Sequence, residues 1–154
     1  MCIEVGESGN MFLGTFYHKL DAKNRLNLPT KIVSKLSADV VLSKGFEGCL
    51  ELRTFTAFEN YSAQLMNYSA NKRESRILVR QLLANAIDLK LDKANRILIP
   101  QNLLAESNIK DEVVIIGVGN KLEIWDKKAY QSFKESTDQI YADIAQNIDD
   151  EKPI

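Results

Sequence analysis

The chain has 154 residues, of which 45% are hydrophobic and 27% are charged. Its 20 Lys and Arg residues against 21 Asp and Glu residues give a formal net charge of −1. This composition is typical of one globular domain or of two small domains that share a core. It argues against a protein that coats nucleic acid through a uniformly basic surface.

The sequence offers no support for secretion, membrane insertion or metal binding. No apolar run is long enough to cross a membrane, and residues 1–10 lack the basic and apolar regions of a signal peptide. We therefore expect a cytoplasmic protein. Cys2 and Cys49 lack metal-ligand spacing and His18 is the only histidine, so we expect no metal site and no cofactor. Cys49 is expected to be a small buried side chain.

Apolar periodicity and turn residues predict one series of elements in each half of the chain: strand, turn, short strand, short helix, strand, glycine turn, strand and longer helix. In the first half these elements occupy residues 12–18, 21–24, 25–28, 31–36, 40–42, 45–48, 50–52 and 54–66. A helix over 72–86 links the halves. In the second half the short helix, strand, glycine turn and strand occupy 102–106, 113–116, 117–119 and 122–124. A last helix over 126–148, with Asp126 as its N-cap, ends the series.

We expect one compact unit with pseudo-twofold symmetry. Its parts are an N-terminal extension, a first repeat, a connecting helix, a second repeat with the last helix, and a tail, over residues 1–10, 11–66, 67–86, 87–148 and 149–154. The last helix carries an apolar stripe made of Phe133, Ile140, Tyr141, Ile144 and Ile148. This stripe and the aromatic face of 54–66 are candidate subunit contacts, and packing against the core explains them equally well.

A ten-residue motif occurs in both halves. Residues 20–29 read LDAKNRLNLP, and residues 91–100, 71 positions later, read LDKANRILIP. A core accepts many apolar substitutions, so it rarely requires an Asp, an Asn and an Arg to recur together at fixed spacing. The motif therefore predicts a duplicated fold with a duplicated working surface.

The charged motif residues admit a structural and a catalytic interpretation. In the structural one, Asp21 and Asp92 accept hydrogen bonds from the turn backbone and pair with Arg25 and Arg96. A catalytic carboxylate pair needs two different pKa values, whereas each Asp here has an Arg four residues on and a Lys nearby, which should keep both ionised. No phosphate loop or nucleophile motif accompanies them, so we expect no enzyme.

A third interpretation treats each motif as a basic hairpin that contacts DNA. The two arginines are candidates for guanine contacts, the two aspartates would fix the guanidinium groups, and the two asparagines form turns while their amides can read base edges. These candidate site residues are Asp21, Asn24, Arg25, Asp92, Asn95 and Arg96. Phosphate contacts are assigned to four lysines, Lys19, Lys23, Lys90 and Lys93. Aromatic residues do not interleave with these cations, which favours duplex over single-stranded DNA.

The motifs and their surroundings resemble the MraZ family. The resemblance is carried by residues 11–14 (MFLG), by the two Asp-x-x-x-Arg motifs, each followed by apolar-x-apolar-Pro, and by residues 119–125 (GNKLEIW). It covers residues 11–133 and implies an α+β, β-rich fold. That fold would be a pseudo-twofold, tandem swapped-hairpin AbrB-like β-barrel with peripheral helices, made of two SpoVT-AbrB-like repeats. The resemblance also marks Asp21, Arg25, Asp92 and Arg96 as signature positions.

The function implied by this resemblance is that of a bacterial transcription regulator of the division and cell-wall gene cluster. Family members assemble into rings and bind short tandem repeats in their own promoter. The implied partners are thus double-stranded promoter DNA and further copies of the chain, with no membrane and no small-molecule substrate. The implied location is the cytoplasm, in association with the nucleoid. Two features depart from the family: members usually begin where Met11 stands, and Asn24 and Asn95 replace a common Gly, which Asn can do in a left-handed turn.

The alternative is an interaction protein, either an antitoxin-like barrel that neutralises a partner or a ring scaffold without DNA readout. An antitoxin is expected to carry a long disordered arm, and only the few residues after Ile148 could serve as one. The near-zero net charge of the chain limits the DNA affinity that a single copy of the hairpin can reach. One hairpin with few cations would bind weakly, so we expect several hairpins on one face of a ring to bind spaced boxes together.

Overall fold

The computed structural model describes residues 11–150. Its strands are β1 (Phe12–Lys19), β2 (Arg25–Asn27), β3 (Asp39–Lys44), β4 (Leu50–Thr54), β5 (Ile87–Lys90), β6 (Arg96–Leu98), β7 (Glu112–Gly119) and β8 (Leu122–Asp126). Its helices are α1 (Thr30–Val33), α2 (Phe55–Met66), α3 (Arg73–Ala84), α4 (Gln101–Ser107), α5 (Lys127–Asp138) and α6 (Tyr141–Asp150). The predicted extension over 1–10 and the last part of the predicted tail, 151–154, lie outside the described residues.

The two halves of the chain have the same order of elements. The first half runs β1, β2, α1, β3, β4 and α2, the second runs β5, β6, α4, β7, β8 and α5, and α3 lies between them. Each half therefore has the predicted order of strands and helices. Pro29 and Pro100 immediately precede α1 and α4, where a residue without an N–H and with a fixed φ suits a helix start.

The halves are interleaved in the β-structure. Six strands form one antiparallel sheet in the order β1-β7-β8-β4-β3-β5, and β2 pairs with β6 in a separate two-stranded ribbon. The ladders β1–β7, β4–β8, β3–β5 and β2–β6 each join a strand of one half to a strand of the other. Neither half has a sheet of its own, so the two repeats fold as one α+β unit.

The six-stranded sheet is open, and the predicted barrel was wrong in this respect. β1 and β5 form its two edges, and no ladder joins them within residues 11–150. The physical reason is that the short strands β2 and β6 hydrogen-bond to each other across the halves. A single bridge, Leu20 with Leu26, links β2 to the end of β1, and it does not extend into a ladder that would close the large sheet.

The core lies between the large sheet and the β2–β6 ribbon. Leu26 of β2 and Ile97 of β6 are fully buried there against alternate residues of the sheet such as Leu42, Leu52 and Ile124. Because successive strand residues point to opposite faces, the neighbours of Leu26 and Ile97 face away from the core. The ribbon thus covers one side of the core, and the outer face of the ribbon is exposed.

The opposite face of the sheet carries a buried ionic cluster. Glu51 and Arg53, both of β4, are 2% and 4% exposed, and Arg53 Nη1 lies 2.9 Å from Glu51 Oε1. Lys121 reaches the same carboxylate from the β7–β8 turn, with Nζ 2.8 Å from Glu51 Oε2. The Arg53 guanidinium also stacks 3.8 Å from the centre of the Tyr61 ring of α2. These contacts tie both β8 and α2 to β4.

The predicted last helix is two helices, α5 and α6. Asp126 caps α5 as predicted, since its carboxylate accepts a hydrogen bond from Ala129 N. The hydroxyls of Ser136 and Thr137 donate to the Phe133 carbonyl in the last turn of α5. Such bonds compete with the helical backbone pattern, which explains the interruption before Tyr141. α6 then extends to Asp150, two residues into the segment predicted as a tail.

The predicted glycine turn over 117–119 is also misplaced. Both glycines belong to β7, and the connection to β8 consists of residues 120–121. Gly117 lies opposite Gly14 of β1, and a Cβ at Gly117 would be 2.4 Å from Leu13 N. Gly117 therefore allows β1 and β7 to approach closely. In the sequence alone, this role of a glycine looks the same as that of a glycine in a turn.

Removing Lys121 should destabilise the fold, because a buried Glu51 carboxylate would lose one of its two cations. We expect Lys121→Met to lower the free energy of unfolding by about 3 kcal/mol, and Lys121→Met with Glu51→Gln to lower it further, because the buried Arg53 then loses its carboxylate partner. Urea denaturation measures both values. Lys134→Met, which breaks the exposed Lys134–Asp138 pair of α5, is the control and should cost under about 0.5 kcal/mol. Equal losses for Lys121→Met and Lys134→Met would contradict this account of the cluster.

Candidate nucleic-acid interface

Each motif folds into a loop held by its aspartate. Asp21 Oδ1 accepts hydrogen bonds from Lys23 N and Arg25 N, both at 2.9 Å. Asp21 Oδ2 accepts from Arg25 Nε at 2.7 Å. The loop is closed by Asp21 N, which donates to Arg25 O at 3.0 Å. One carboxylate thus fixes both the turn and the arginine head, which leaves the two Nη groups of that arginine as further donors.

The second motif repeats this geometry. Asp92 Oδ1 accepts from Ala94 N and Arg96 N at 2.9 Å, and Asp92 Oδ2 accepts from Arg96 Nε at 2.8 Å. Asn24 and Asn95 occupy the same left-handed position in the two loops, with φ of 61° and 62°. Asparagine tolerates this conformation better than other residues with a Cβ, so its recurrence before each Arg has a backbone cause.

The two loops form one surface because the ribbon joins them. β2 and β6 pair antiparallel, and each loop carbonyl accepts a bond from the other half: Ile99 N donates to Asn24 O and Leu28 N to Asn95 O, at 3.0 and 3.1 Å. Arg96 Nη1 lies 3.9 Å from Asp21 Oδ2 of the opposite loop. The predicted residues of the two motifs, 71 positions apart in the chain, are therefore neighbours in space.

Hydrogen bonding keeps both loop carboxylates charged. Backbone donation from Arg25 N is the main cause that lowers the pKa of Asp21 below its usual 3.8, and the Arg25 side chain lowers it further. Backbone donation from Arg96 N has the same effect on the pKa of Asp92. The two groups are lowered in the same direction, whereas an acid–base pair needs one raised pKa. The geometry therefore favours the structural and binding interpretations over catalysis.

The four predicted phosphate-binding lysines differ in their surroundings. Lys23 and Lys93 are exposed on the two loops, and Lys19 is exposed at the end of β1. Lys90 is also exposed, but its Nζ lies 2.9 Å from Asp39 Oδ1, and this hydrogen bond raises its pKa. An anion must therefore compete with Asp39 for Lys90. Among the four lysines, Lys23 and Lys93 lie nearest in sequence to Arg25 and Arg96.

Two outward-facing ribbon residues were not among the predicted site residues. Asn27 and Leu98 are exposed at the ends of β2 and β6, one residue beyond the buried Leu26 and Ile97. The alternation of a strand predicts their position, because every second residue points to the same face and Asn27 and Leu98 lie two residues after Arg25 and Arg96. The unequal side chains, Asn in one motif and Leu in the other, concealed that equivalence.

One cluster of the described residues has the atoms for a metal site. Cys49 Sγ and carboxylate oxygens of Glu51 and Glu123 lie within 4.8 Å of one another. Lys121 Nζ lies 2.8 Å from Glu51 and 3.8 Å from Glu123, so an ammonium already balances both carboxylates. Burial and the two carboxylates raise the pKa of the Cys49 thiol to about 12, so the thiol is neutral beside these charged groups. We interpret this cluster as an internal ion-pair network, and Cys49 is buried as predicted.

Comparison with known proteins agrees with the duplicated geometry. A family model described as "MraZ protein, putative antitoxin-like" matches the chain twice, over residues 11–81 and 82–150. The chain belongs to the MraZ family. The resemblance noted in the sequence is thereby confirmed, and the family's two matches each contain one Asp–Arg loop.

Relatives in the MraZ family match nearly the whole chain. A protein of Mycoplasmoides gallisepticum named transcriptional regulator MraZ is 44% identical over 92% of this chain and 99% of the relative. A protein of Mesoplasma florum with the same name is 42% identical over 90% of this chain and 95% of the relative. A third, from Thermoanaerobacter sp., is 35% identical over 91% and 98%. No helix within residues 11–150 has the length and apolar character needed to span a membrane.

The loop carboxylates should contribute to acid sensitivity. The pKa values of Asp21 and Asp92 are lowered in the folded state. The two carboxylates therefore stabilise the fold fully at a pH above 3.8, their usual pKa, and this stabilisation is lost as the pH falls through their folded-state pKa values. We expect the double variant Asp21→Asn/Asp92→Asn to be less stable than wild type at neutral pH. It should also lose less stability on acidification below about pH 4.

Urea unfolding at a series of pH values from about 2 to 7 measures this difference. Asp143→Asn changes an exposed carboxylate of α6 outside the loops and serves as the control. Its profile should follow the wild type. Parallel profiles for the double variant and wild type would show that the loop carboxylates do not stabilise the fold through their charge.

Proposed function

We propose that this chain is a transcription regulator that binds double-stranded DNA through the outer face of the β2–β6 ribbon and its two loops. The observation that carries the proposal is the pair of arginines, Arg25 and Arg96, each fixed by its own aspartate on one joined surface. The relatives' name, transcriptional regulator, supports the same class of function. This proposal makes the chain a DNA-binding protein and not an enzyme.

The arginines suit guanine recognition. A guanidinium that donates Nε to a carboxylate has given up most of its rotational freedom, and its two Nη groups can still donate together to guanine O6 and N7. Both arginine side chains are about one-third exposed, at 31% and 30%. They are therefore accessible without being free to reorient, which is the condition for specific readout.

The ribbon has a form that the major groove accepts. The groove of B-DNA admits an α-helix or a two-stranded β-ribbon. Here the inner residues Leu26 and Ile97 anchor the ribbon in the core, so its outer face is presented rigidly. Lys23 and Lys93 on the loops, with Lys19 beyond them, would contact the phosphates that border the groove. Lys90 would join them by exchanging Asp39 for a phosphate.

Assembly is the second part of the proposal. With a net charge of −1, one ribbon has little long-range attraction for DNA. We infer that several copies form a ring that presents its ribbons to tandem promoter repeats of the division and cell-wall gene cluster, in the nucleoid. The exposed apolar side chains of α5, of α6 and of the turn between them support contacts between copies: Phe133, Ile140, Tyr141, Ile144 and Ile148. The pairing of β2 with β6 is the feature that supports a swapped-hairpin relationship between the repeats.

The same exposed stripe could instead contact a different protein, as an antitoxin-like or scaffold function requires. Pull-down of the tagged chain from its host, with and without nuclease treatment, separates the two functions. Partners that disappear after nuclease treatment support the proposed DNA-binding function. A stoichiometric partner that persists, in the absence of any selected DNA, would replace it with the interaction function.

Truncation of either arginine should weaken specific binding while the fold survives. With duplex fragments selected from genomic DNA, Arg25→Ala and Arg96→Ala should each cost about 1–3 kcal/mol for every guanine that the arginine no longer reads. Fluorescence anisotropy on a selected and a scrambled duplex measures the effect, and circular dichroism monitors the fold. Lys23→Ala is the matched control, and it should weaken both duplexes alike and reduce the salt dependence. If both arginine variants unfold, the Asp–Arg pairs are structural elements only.

Binding should depend on the number of boxes in the DNA. Linked sites raise the effective concentration of the second contact, so a duplex with several spaced boxes should bind orders of magnitude more tightly than one with a single box. Gel shifts with one, two and four copies of the selected box, at constant duplex length, measure this. Equal affinities per duplex would remove the assembly part of the proposal and leave the DNA contact itself intact.

A further inference from the structure

The outer face of the ribbon carries four side chains in two cross-strand pairs. Arg25 lies opposite Leu98, and Asn27 lies opposite Arg96. The residues between them, Leu26 and Ile97, point into the core and are 0% and 1% exposed. Each outer pair thus combines an arginine from one half of the chain with a non-arginine residue from the other half.

The internal symmetry of the ribbon is broken at the non-arginine positions. Arg25 and Arg96 occupy equivalent positions of the two motifs, and so do Asn27 and Leu98. Symmetry would therefore give two identical corners, whereas the structure gives an amide at one corner and an isobutyl group at the other. The scaffold is duplicated, and the chemistry of its outer face is not.

Leu98 is an unusual residue for this place. It is 57% exposed, although it stands beside charged groups at the end of a strand whose other apolar residue is fully buried. An exposed Leu contributes little to the core, and Asn27 shows that the equivalent position accepts a polar residue. Its side chain is accessible to whatever the ribbon binds.

The two side chains have different base preferences in a major groove. An asparagine amide makes a matched pair of hydrogen bonds with adenine, where it accepts from N6 and donates to N7. An apolar side chain packs against the C5-methyl group, which only thymine presents there. These preferences lie next to the guanine preference of the arginine in each pair.

The electrostatics of the two corners also differ. Arg96 Nη1 lies 3.9 Å from Asp21 Oδ2, and within the described residues the reverse pair, Arg25 with Asp92, does not come within 4.0 Å. Asn24 Nδ2 donates to Gln101 Oε1 at 3.3 Å, which further fixes the first loop. Arg96 is thus held by two carboxylates and Arg25 by one.

We propose that Asn27 and Leu98 are specificity-determining residues that make the ribbon read its DNA site in one direction. Asn27 selects an adenine beside the guanine contacted by Arg96, and Leu98 selects a thymine beside the guanine contacted by Arg25. This inference rests on the proposed function, because it assigns base contacts to the same ribbon face. It adds that the bound box is not palindromic, although the ribbon is pseudo-twofold.

Single-atom changes in the DNA test each contact. In a duplex box selected by the wild-type chain, thymines are replaced one at a time by deoxyuridine, which removes only the C5-methyl group. When deoxyuridine replaces the thymine that Leu98 contacts, wild type should bind the duplex about fourfold more weakly, which corresponds to the free energy of burying one methyl group. Leu98→Ala should bind more weakly and show no further loss at that position. In the same way, 7-deazaadenine at one adenine should cost wild type about tenfold and Asn27→Ala nothing further.

Symmetrising the ribbon tests directionality. Leu98→Asn places asparagine at both corners, so selection from a random duplex library should change from a directional box to a more palindromic one. Leu13→Ala is the matched control, since Leu13 is 65% exposed on β1, away from the ribbon, and should leave the selected box unchanged. Circular dichroism establishes that each variant folds.

The outcomes separate the inference from the function on which it rests. Suppose that wild type selects a box, and that the modified bases reduce the affinity of Leu98→Ala and Asn27→Ala as much as they reduce that of wild type. The two residues then do not read bases and the inference is wrong, while the DNA-binding function stands. If wild type selects no sequence and Arg25→Ala binds as wild type does, the proposed function itself fails.

Discussion

Three hydrogen bonds to one carboxylate connect the backbone of each loop to its arginine. Asp21 accepts two of them from the turn backbone and one from Arg25 Nε, and Asp92 repeats the set. The backbone bonds fix the left-handed turn, and the turn directs the chain into β2 or β6. The rest of the interface depends on this constraint, because the ribbon forms only when both loops deliver their strands in register. The side-chain bond then couples the position of the guanidinium to the same turn.

Interleaving gives this small ribbon its rigidity. A two-stranded ribbon of three residues per strand is marginal in water by itself. Here Leu26 and Ile97 bury completely in a core made by strands of both halves, and Asn24 O and Asn95 O each accept a bond from the opposite half. Disorder in one repeat would therefore expose the core of the other. The halves stabilise each other, and the outer face of the ribbon acquires a fixed shape without a large interface of its own.

Most of the local structure could be predicted from the sequence, because local signals determine it. The Asp–Arg pairs, the Asn turns, the Asp126 cap and the buried Cys49 follow from side-chain chemistry within a few residues. The open sheet, the division of the last helix and the strand position of Gly117 depend on partners far along the chain or on hydroxyls that compete with the backbone. Asn27 and Leu98 were hidden for another reason: the motif pattern treated them as variable positions, and only the β2–β6 register places each opposite an arginine.

Duplication within one chain has a consequence that a dimer of identical halves does not share. In a homodimer, any substitution on the outer ribbon face appears at both corners, so the two halves must present the same groups and prefer related half-sites. In this chain each half can change alone. The Asp and Asn residues that build the loops are the same in both halves because the turn needs them, and each Asp also fixes an Arg head. The positions that the fold leaves free, 27 and 98, carry an amide and an apolar group, and divergence there costs the scaffold little since both side chains are exposed. A fused, pseudo-symmetric ribbon can therefore acquire direction without altering the core that holds it.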